Sequence, residues 1–315
     1  MSRPPDPPAS TLVLHHYPGS PFAEKARLML GYKGLRWSSV IIPSIMPKPD
    51  LVALTGGYRR TPVLQIGADV YCDTARIATL LEALQPEPTL FPARHPLAPM
   101  LAQWADSTLF WTVIPYTMRP EGLAHVFAGQ PPEAVKAFGA DRASFTAGMR
   151  RMTLADAAAQ LPQHLAALQA QLADGRGYLF GDTPCIADFS VAHGLWFIHR
   201  VPPLAGVFDG YPALAAWLGR MLAIGHGHVD RIDSTEALRM AASATGHAAV
   251  QVQPGLGFAE GQAITVAAND YGTDPVAGIL IGLTVDEVVL QRHDERAGWV
   301  HVHFPRQGFQ IKEQK

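Results

Sequence analysis

Cysteine and net charge are both scarce in this sequence, and each shortage excludes a class of protein. The chain has two cysteines among 315 residues, too few for a disulfide framework, which favours a reducing, cytoplasmic setting. Its formal net charge of −2 creates no global field that would attract nucleic acid or an anionic membrane. We therefore expect a cytoplasmic protein without a nucleic-acid partner.

Long apolar runs are missing as well. No run of about 18 apolar residues occurs, so we expect no membrane span. Residues 1–10, MSRPPDPPAS, lack the apolar core of a signal peptide and are rich in proline, which predicts a disordered tail. The composition, 48% hydrophobic and 17% charged, is typical of a soluble globular protein, and the length allows two or three domains.

Residues 11–85 alternate strand and helix signals. The strand TLVLHHY leads into a helix whose apolar residues recur at helical spacing from Phe22, and RWSSVII predicts a second strand parallel to the first. Two shorter strands, TPVLQI and DVYC, flank Gly67-Ala68, a pair that fits a type II′ hairpin, and an amphipathic helix follows. The predicted order is βαβ, a connection, then ββα.

Two further regions follow along the chain. Residues 97–245 are rich in Ala, Leu and Gln, which predicts an all-helical domain of about five or more helices. Residues 246–315 carry short β-branched runs separated by Gly and Pro, which predicts a small antiparallel barrel or sandwich. From residue 251 onward there are five basic and eight acidic residues, a balance that argues against a phosphate-binding barrel.

One serine stands where the first strand gives way to the first helix, in YPGSPFAEKARLML, residues 17–30. Read alone, Ser20 followed by Pro21 is a helix N-cap with proline at the first helical position. The same turn also exposes helix N–H groups and the positive end of the helix dipole, which stabilise an anion such as a thiolate. Because a hydroxyl there can donate a hydrogen bond to the thiolate, Ser20 is also a candidate functional residue.

Two other turns carry polar residues of the same kind. In RRTPVLQ, Pro62 opens a strand after a loop, a position suited to a cis bond that turns the Thr61 backbone toward a ligand. In YCDTARIATLLE, Asp73 can pair with an amino group, while Thr74 and the helix N–H groups can hold a carboxylate. Capping of the helix is the simpler interpretation of Asp73 and Thr74 taken alone.

Together these elements resemble the glutathione transferases over roughly residues 11–235. The likeness rests on the strand and helix order, the serine at the first helix, Thr-Pro, Asp-Thr and the all-helical region that follows. SPFAEKARLMLGYKGL looks most like the omega-type and related bacterial members, in which a cysteine often stands at the place of Ser20. The serine itself is similar to the serine-type classes.

The resemblance implies a thioredoxin-like domain at residues 11–85 that binds glutathione as co-substrate. By that analogy Ser20 contacts the glutathione sulfur, and Thr61, before Pro62, pairs with the cysteinyl backbone. Asp73 and Thr74 hold the γ-glutamyl end. A small electrophile is expected to bind against the helical domain, and the chain is expected to form a homodimer, as family members commonly do.

Two features depart from the family pattern. In YLFGDTPCIADFSVAH, Cys185 takes the Ser/Thr place of a capping box with Asp188, which predicts a weaker helix start or one that uses Thr183. Residues 246–315 are additional, with the spacing of a five-stranded SH3-like barrel. This module is interpreted as covering an apolar face or extending a dimer interface, or alternatively as docking a protein partner.

A His-Val-His sequence in the last region raises the question of a metal. His301 and His303 fall on one face of a predicted strand, and His293 is a third candidate ligand. Chance placement on a solvated face is the simpler interpretation of a single motif, so we predict no metal.

Three functions stay open on the sequence. The first is a glutathione transferase that activates the thiolate for attack on a small electrophile, with conjugation preferred over disulfide exchange because residue 20 is Ser. The second is a non-catalytic scaffold that recruits a partner through the C-terminal barrel. The third is an isomerase of the maleylacetoacetate type, for which a second serine is expected in place of Pro21.

Overall fold

The structure is a computed structural model that describes residues 11–314, so the predicted disordered tail at residues 1–10 lies outside it. The strands are β1 Leu12–His16, β2 Arg36–Ile41, β3 Val63–Ile66, β4 Asp69–Cys72, β5 His228–Arg231, β6 Ala263–Ala268, β7 Val276–Leu283, β8 Glu287–Asp294, β9 Gly298–Pro305 and β10 Phe309–Glu313. The helices are α1 Pro21–Tyr32, α2 Pro49–Thr55, α3 Thr74–Leu84, α4 Ala98–Trp104, α5 Phe110–Thr117, α6 Pro120–Val126, α7 Pro132–Phe145, α8 Leu154–Leu172, α9 Ile186–His199, α10 Pro202–Ala205, α11 Pro212–Ala223 and α12 Ser234–Ala242. A π-helical turn, Ala105–Leu109, joins α4 to α5, and a 3₁₀ turn, Gly206–Phe208, follows α10.

The chain divides into two compact units. The first contains residues 11–23, 35–79 and 228–314, and the second contains residues 24–34 and 80–227. Helices α1 and α3 begin in the first unit and continue into the second.

The first unit contains a thioredoxin-like arrangement built on β1. Strand β2 pairs with β1 in parallel, β3 pairs with it antiparallel on the other side, and β4 pairs antiparallel with β3. The β3–β4 turn places Gly67 at a φ of +57°, a conformation in which glycine has no steric cost. The predicted βαβ and ββα order is therefore confirmed, with α2 in the connection.

The predicted strand-rich extension is also confirmed, but its strands continue the sheet of the first unit. Strand β9 pairs in parallel with β4, and the sheet order is β10-β6-β7-β8-β9-β4-β3-β1-β2-β5. Within residues 11–314, no pairing closes β6–β10 into the predicted SH3-like barrel. The physical reason is that β9 uses one edge for β8 and the other for β4, whose backbone groups would otherwise be unpaired.

Residues 228–245, which the sequence analysis assigned to the helical domain, belong to the first unit. Strand β5 pairs in parallel with β2, and Arg36 of β2 forms an ion pair with Asp230 of β5. Helix α12 packs on one face of the sheet, where Ala237, Leu238 and Ala241 join the core. The sequence of β5, HVDR, does not alternate apolar and polar residues, so it did not predict a strand. All four of its residues are exposed in the structure.

One apolar core runs along the sheet of the first unit. It includes side chains from the original strands, from the extension and from the covering helices: Val13, Val63, Val70, Cys72, Val288, Leu290, Val300, Val302, Phe304, Phe309, Leu51, Leu54 and Leu238. Successive residues of β9 alternate between this core and the opposite face, and both sets are buried from Val300 to Pro305. Burial on both faces is the environment of an interior strand.

The second unit is helical, with α9 at its centre. From Ile186 to Leu195 every residue of α9 is buried, and the helix packs against α4, α5 and α11. Asp188 is wholly buried, accepts hydrogen bonds from the backbone N–H groups of Leu179 and Cys185, and accepts another from the indole of Trp217. Cys185 is therefore the N-cap of α9, Asp188 closes the first turn, and Thr183 does not replace Cys185.

No helix within residues 11–314 combines the length and the apolar character that crossing a bilayer requires.

Phe304 tests whether the extension folds with the rest of the first unit. Its ring is fully buried and lies 5.8 Å from the ring of Tyr58 and 5.6 Å from that of Phe309, measured between centroids. Phe304→Ala should lower the free energy of unfolding by about 3–5 kcal/mol and speed hydrogen exchange in β1 and β3 as well as in β7–β9. Trp299→Ala on the same strand is the control, because Trp299 is 57% exposed. Faster exchange confined to β6–β10 would contradict one cooperative sheet.

His15 makes the stability of the first unit depend on pH. Both amide hydrogens of Gln65 are donated to the carbonyls of Gly67 and Ala237, so the Gln65 oxygen accepts from Nε2–H of a neutral His15. Burial lowers the pKa of His15 to about 4, although the Gln65 hydrogen bond opposes the shift.

The unfolded chain therefore binds a proton at His15 between pH 6.5 and about 4 that the folded chain does not, and stability falls as pH decreases through this window. His15→Gln should remove up to about 3 kcal/mol of that loss at the acid end. The measurement is urea unfolding at several pH values, with His228→Gln as an exposed control. An unchanged slope in His15→Gln would show that His15 does not carry the effect.

Candidate functional site

Three turns meet at one end of the sheet in the first unit. The pairing register places His15 of β1 opposite Val63 of β3, and Val63 opposite Cys72 of β4. The segment after β1, the segment before β3 and the segment after β4 therefore leave the sheet on the same side. These segments carry all five predicted site residues: Ser20, Thr61, Pro62, Asp73 and Thr74.

Ser20 caps helix α1. Its side chain is buried, and its Oγ accepts a hydrogen bond from the backbone N–H of Ala23 at 3.2 Å. The backbone N–H of Ser20 donates to the carbonyl of Tyr17, which closes the turn after β1. Because the Oγ only accepts in these contacts, its hydroxyl hydrogen is available to donate to a ligand.

The Thr61-Pro62 peptide bond is cis. Among the described residues, neither the N–H nor the carbonyl of Thr61 has a hydrogen-bond partner. The Thr61 hydroxyl accepts from the ammonium of Lys48 at 3.2 Å, and the Lys48 side chain is itself buried. An extended peptide laid beside Thr61 would therefore meet a free backbone donor and acceptor with a cation close by.

Asp73 and Thr74 form the turn from β4 into α3. Asp73 has a φ of +74°, and it is the one non-glycine residue with positive φ in the described chain. Its Oδ1 accepts from the N–H of Ala75 at 2.9 Å, so the predicted capping role is present. Thr74 is a buried residue, and its hydroxyl has no hydrogen-bond partner among residues 11–314.

Sequence reasoning missed Arg60, which connects Asp73 to the extension. Its Nη1 lies 3.7 Å from Oδ2 of Asp73. The same guanidinium pairs with Asp270, donates from Nε to the carbonyl of Tyr271 at 3.1 Å, and stacks over the Tyr271 ring. Asp270 and Tyr271 lie in the loop between β6 and β7, so the extension contributes to this end of the sheet. In the sequence, only the adjacent arginines Arg59 and Arg60 before Thr61 indicated a charged group near this turn.

A second missed group anchors α1 inside the helical unit. Lys25 of α1 is almost fully buried and donates to Asp106 at 2.5 Å, and His193 of α9 contacts the other oxygen of Asp106 at 2.9 Å. Burial alone would raise the pKa of Asp106, but Lys25 and His193 outweigh it and leave the pKa below its usual value. Asp106 lies in the π-helical turn, which also interrupts the helical spacing between Trp104 and Trp111.

Neither cysteine is suited to thiol chemistry. Cys72 and Cys185 are both completely buried. Burial raises the pKa of Cys72 well above its usual range, and burial together with the charge of Asp188 raises the pKa of Cys185 to about 12. The chain thus offers no exposed, ionised thiol of its own.

Two protein-family models match parts of the chain. Residues 14–89 match the glutathione S-transferase N-terminal domain, and residues 151–220 match the glutathione S-transferase C-terminal domain. No curated protein matches the chain.

One solved structure extends the likeness to 97% of the chain. A GST-like protein from Pseudomonas syringae is 44% identical, has a TM-score of 0.79, and is similar over 97% of this chain and 100% of its own. A glutathione S-transferase from Rhodospirillum rubrum F11 is 24% identical, with a TM-score of 0.53, over 68% of this chain and 88% of its own. A beta-etherase from Sphingobium sp. strain SYK-6 is 19% identical, with a TM-score of 0.50, over 68% and 95%. The last two show the fold alone, whereas the first also covers the strands of the extension.

The capping contact of Ser20 can be measured separately from any ligand. Ser20→Ala should lower the free energy of unfolding by about 1 kcal/mol, because alanine cannot accept from the Ala23 N–H, while Ser20→Gly should cost only a few tenths. Urea unfolding of the ligand-free protein gives both values. Equal losses in the two variants would mean that side-chain packing, and not the cap, is the stabilising contact.

Proposed function

The chain belongs to the glutathione S-transferase family, and from this premise we propose that it activates the thiol of bound glutathione for attack on a small electrophile. One observation carries the proposal. A free hydroxyl hydrogen on Ser20, a free backbone donor and acceptor on Thr61, and the Asp73-Thr74 helix start share one end of the sheet. These groups match the thiol, the peptide backbone and the γ-glutamyl end of a tripeptide.

The proposed role of Ser20 is to hold the thiolate. Its hydroxyl donates to the sulfur, and the N-terminus of α1 supplies the positive end of a 12-residue helix dipole. One hydrogen bond to a charged group plus the dipole contributes roughly 1–3 kcal/mol, or about one to two pKa units for the thiol. Since a free thiol has a pKa near 8.5, a shift of this size makes much of the bound thiol nucleophilic at neutral pH.

The proposed contacts along the peptide use the other two turns. The Thr61 backbone pairs with the cysteinyl residue of glutathione in the manner of an added strand. The carboxylate of Asp73 receives the γ-glutamyl ammonium, and the Thr74 hydroxyl with the N-terminus of α3 receives the carboxylate of the same residue. Lys48, buried beside Thr61, provides a cation for the glycyl carboxylate.

The proposed reaction is conjugation. The thiolate forms a carbon–sulfur bond with the electrophilic carbon while a leaving group departs with its electron pair, or while a proton is added to the neighbouring carbon of an enone. Ser20 stays uncharged and forms no covalent bond. Both cysteines are buried with raised pKa values, so a mixed disulfide between the protein and glutathione has no suitable thiol.

Several finer expectations remain predictions. They are the homodimer, the cytoplasmic location, the identity of the electrophile and a protein partner for the extension. No finding favours the non-catalytic scaffold over the transferase.

Asp73→Asn tests the glutathione site by calorimetry. Asparagine tolerates the positive φ at this position, so the turn is preserved while the negative charge is lost. We expect sub-millimolar glutathione binding by the unmodified chain and at least about tenfold weaker binding by the variant, because a charge-assisted hydrogen bond contributes about 1.5–3 kcal/mol. Asp286→Asn, at an exposed acid, is the matched control.

The same titration can refute the proposal. If the unmodified chain does not bind glutathione, the transferase function is wrong. If glutathione binds, the ultraviolet absorbance of its thiolate against pH should show a higher thiol pKa in Ser20→Gly than in the unmodified chain. The expected difference is about one unit, because the variant loses the hydrogen bond and keeps the helix dipole. Rates with an activated aryl chloride and with an enone should fall in parallel at neutral pH, and an unchanged pKa would exclude Ser20 from the chemistry.

A further inference from the structure

A polar cluster lies at the junction between β4 and β9, on the sheet face opposite the apolar core. We call Asp69, His247 and His301 the junction cluster. Asp69 opens β4, His301 is its direct partner in the parallel register, and His247 belongs to the segment between α12 and β6. The expectation that His301 and His303 lie on a solvated face is wrong, because they are 8% and 1% exposed. His293, the third predicted candidate, is outside the cluster and packs edge-on against Trp299.

The donor atoms of the junction cluster converge. Oδ1 of Asp69 lies 3.8 Å from Nδ1 of His247 and 3.7 Å from Nδ1 of His301. The two imidazole rings are stacked with centroids 3.6 Å apart. One donor atom from each residue lies within 4.8 Å of the other two. Two imidazoles and one carboxylate form a donor set typical of a divalent transition metal.

One buried nitrogen atom of the cluster has no hydrogen-bond partner. Nδ1 of His301 is buried and makes no hydrogen bond within residues 11–314, although it faces Asp69. A distance of 3.7 Å is too long for a hydrogen bond, and an unsatisfied buried nitrogen costs about 1–3 kcal/mol. A bound cation would use this lone pair and remove the cost.

The residues behind the cluster orient its donors. The side-chain nitrogen of Gln291 lies 3.4 Å from Nε2 of His301. If the Gln291 amide turns by 180° about its last side-chain bond, its oxygen faces the ring, accepts Nε2–H and leaves Nδ1 as a bare lone pair. His303 contacts Oδ1 of Asp69 at 3.0 Å and Oε2 of Glu287 at 3.4 Å. The backbone N–H of Ala248 donates to the other oxygen of Asp69.

The protonation states also suit a cation. Burial and the neighbouring His247 lower the pKa of His301 to about 4. Burial alone would raise the pKa of Asp69, but the hydrogen bonds from His303 and Ala248 outweigh it and hold the pKa below its usual value.

We propose that Asp69, His247 and His301 bind a divalent transition metal of the Zn²⁺ type. Ligands about 2.0–2.1 Å from a tetrahedral metal are separated by roughly 3.3 Å, so each of the two distances from Asp69 must shorten by about half an ångström. The two imidazole donors, which lie within 4.8 Å of each other, must approach by up to about 1.5 Å. His247 lies on a connecting segment with its side chain 24% exposed, and it makes this adjustment by turning out of the ring stack. A water molecule would supply the fourth ligand of a tetrahedral site.

The bound metal would fasten the segment after α12 to the junction of the original sheet and the extension. It is separate from the glutathione turns, because Asp69 and Asp73 are four residues apart, or about 13 Å along an extended strand. The metal site therefore does not depend on the proposed transferase activity.

The test is titration of the EDTA-treated full chain with Zn²⁺ by calorimetry, in buffer free of thiols. We expect one equivalent to bind, and His247→Ala to weaken binding at least about tenfold, since even loss of an outer partner costs 10–100-fold. Zn²⁺ should raise the melting temperature of the unmodified chain and not that of His247→Ala. Co²⁺ should give the visible absorption of a low-symmetry site in the unmodified chain only.

His293→Ala is the matched control, because it removes a histidine from the neighbouring strand without touching the junction cluster. His301→Gln should lose binding as His247→Ala does, and its melting curve without metal checks its fold. Because His247 is exposed, His247→Ala decides the result if His301→Gln does not fold. The proposal is overturned if the unmodified chain binds no equivalent of Zn²⁺, or if His247→Ala binds it as tightly as His293→Ala does.

Discussion

Strand β4 has to satisfy the backbone groups on both of its edges, and its parallel pairing with β9 determines how the last quarter of the chain is built. Without β9, the N–H and carbonyl groups of β4 that point away from β3 would be unpaired at the edge of a short sheet. The pairing places Asp69 beside His301 and Tyr71 beside His303. Because side chains alternate along a strand, this register sends Val300, Val302 and Phe304 into the core shared with α12 and leaves the histidines on the opposite face.

The same short strand links the two proposed sites, which differ in their chemistry. At its beginning, Asp69 belongs to the junction cluster, and after its end, Asp73 turns the chain into α3. Arg60 adds a second connection, since it contacts Asp73 while being held by Asp270 and Tyr271 of the extension. The extension therefore supports the sheet end that carries the proposed glutathione site.

The local signals in the sequence predicted the turns well. Ser20 before Pro21, the Thr61-Pro62 pair and the Gly67 hairpin each depend on a few neighbouring residues, and the structure has a cap, a cis bond and a tight turn there. The sequence did not predict the elements whose structure depends on residues far away along the chain. Strand β5 is polar and exposed, and it forms because the edge of β2 is available. The π-helical turn at Asp106 accompanies contacts with Lys25 and His193, which lie 81 and 87 residues away.

The sequence by itself determined the order of strands and helices in the first 85 residues, the polar residues at three turns and the helical character of the middle region. These follow from periodicity and turn chemistry, which act over a few residues. Only the tertiary structure decided that the last strands extend the first sheet and that His301 is buried beside Asp69 and His247. Strand edges and buried polar groups are satisfied by whatever partner the fold brings to them, and a linear pattern does not specify that partner.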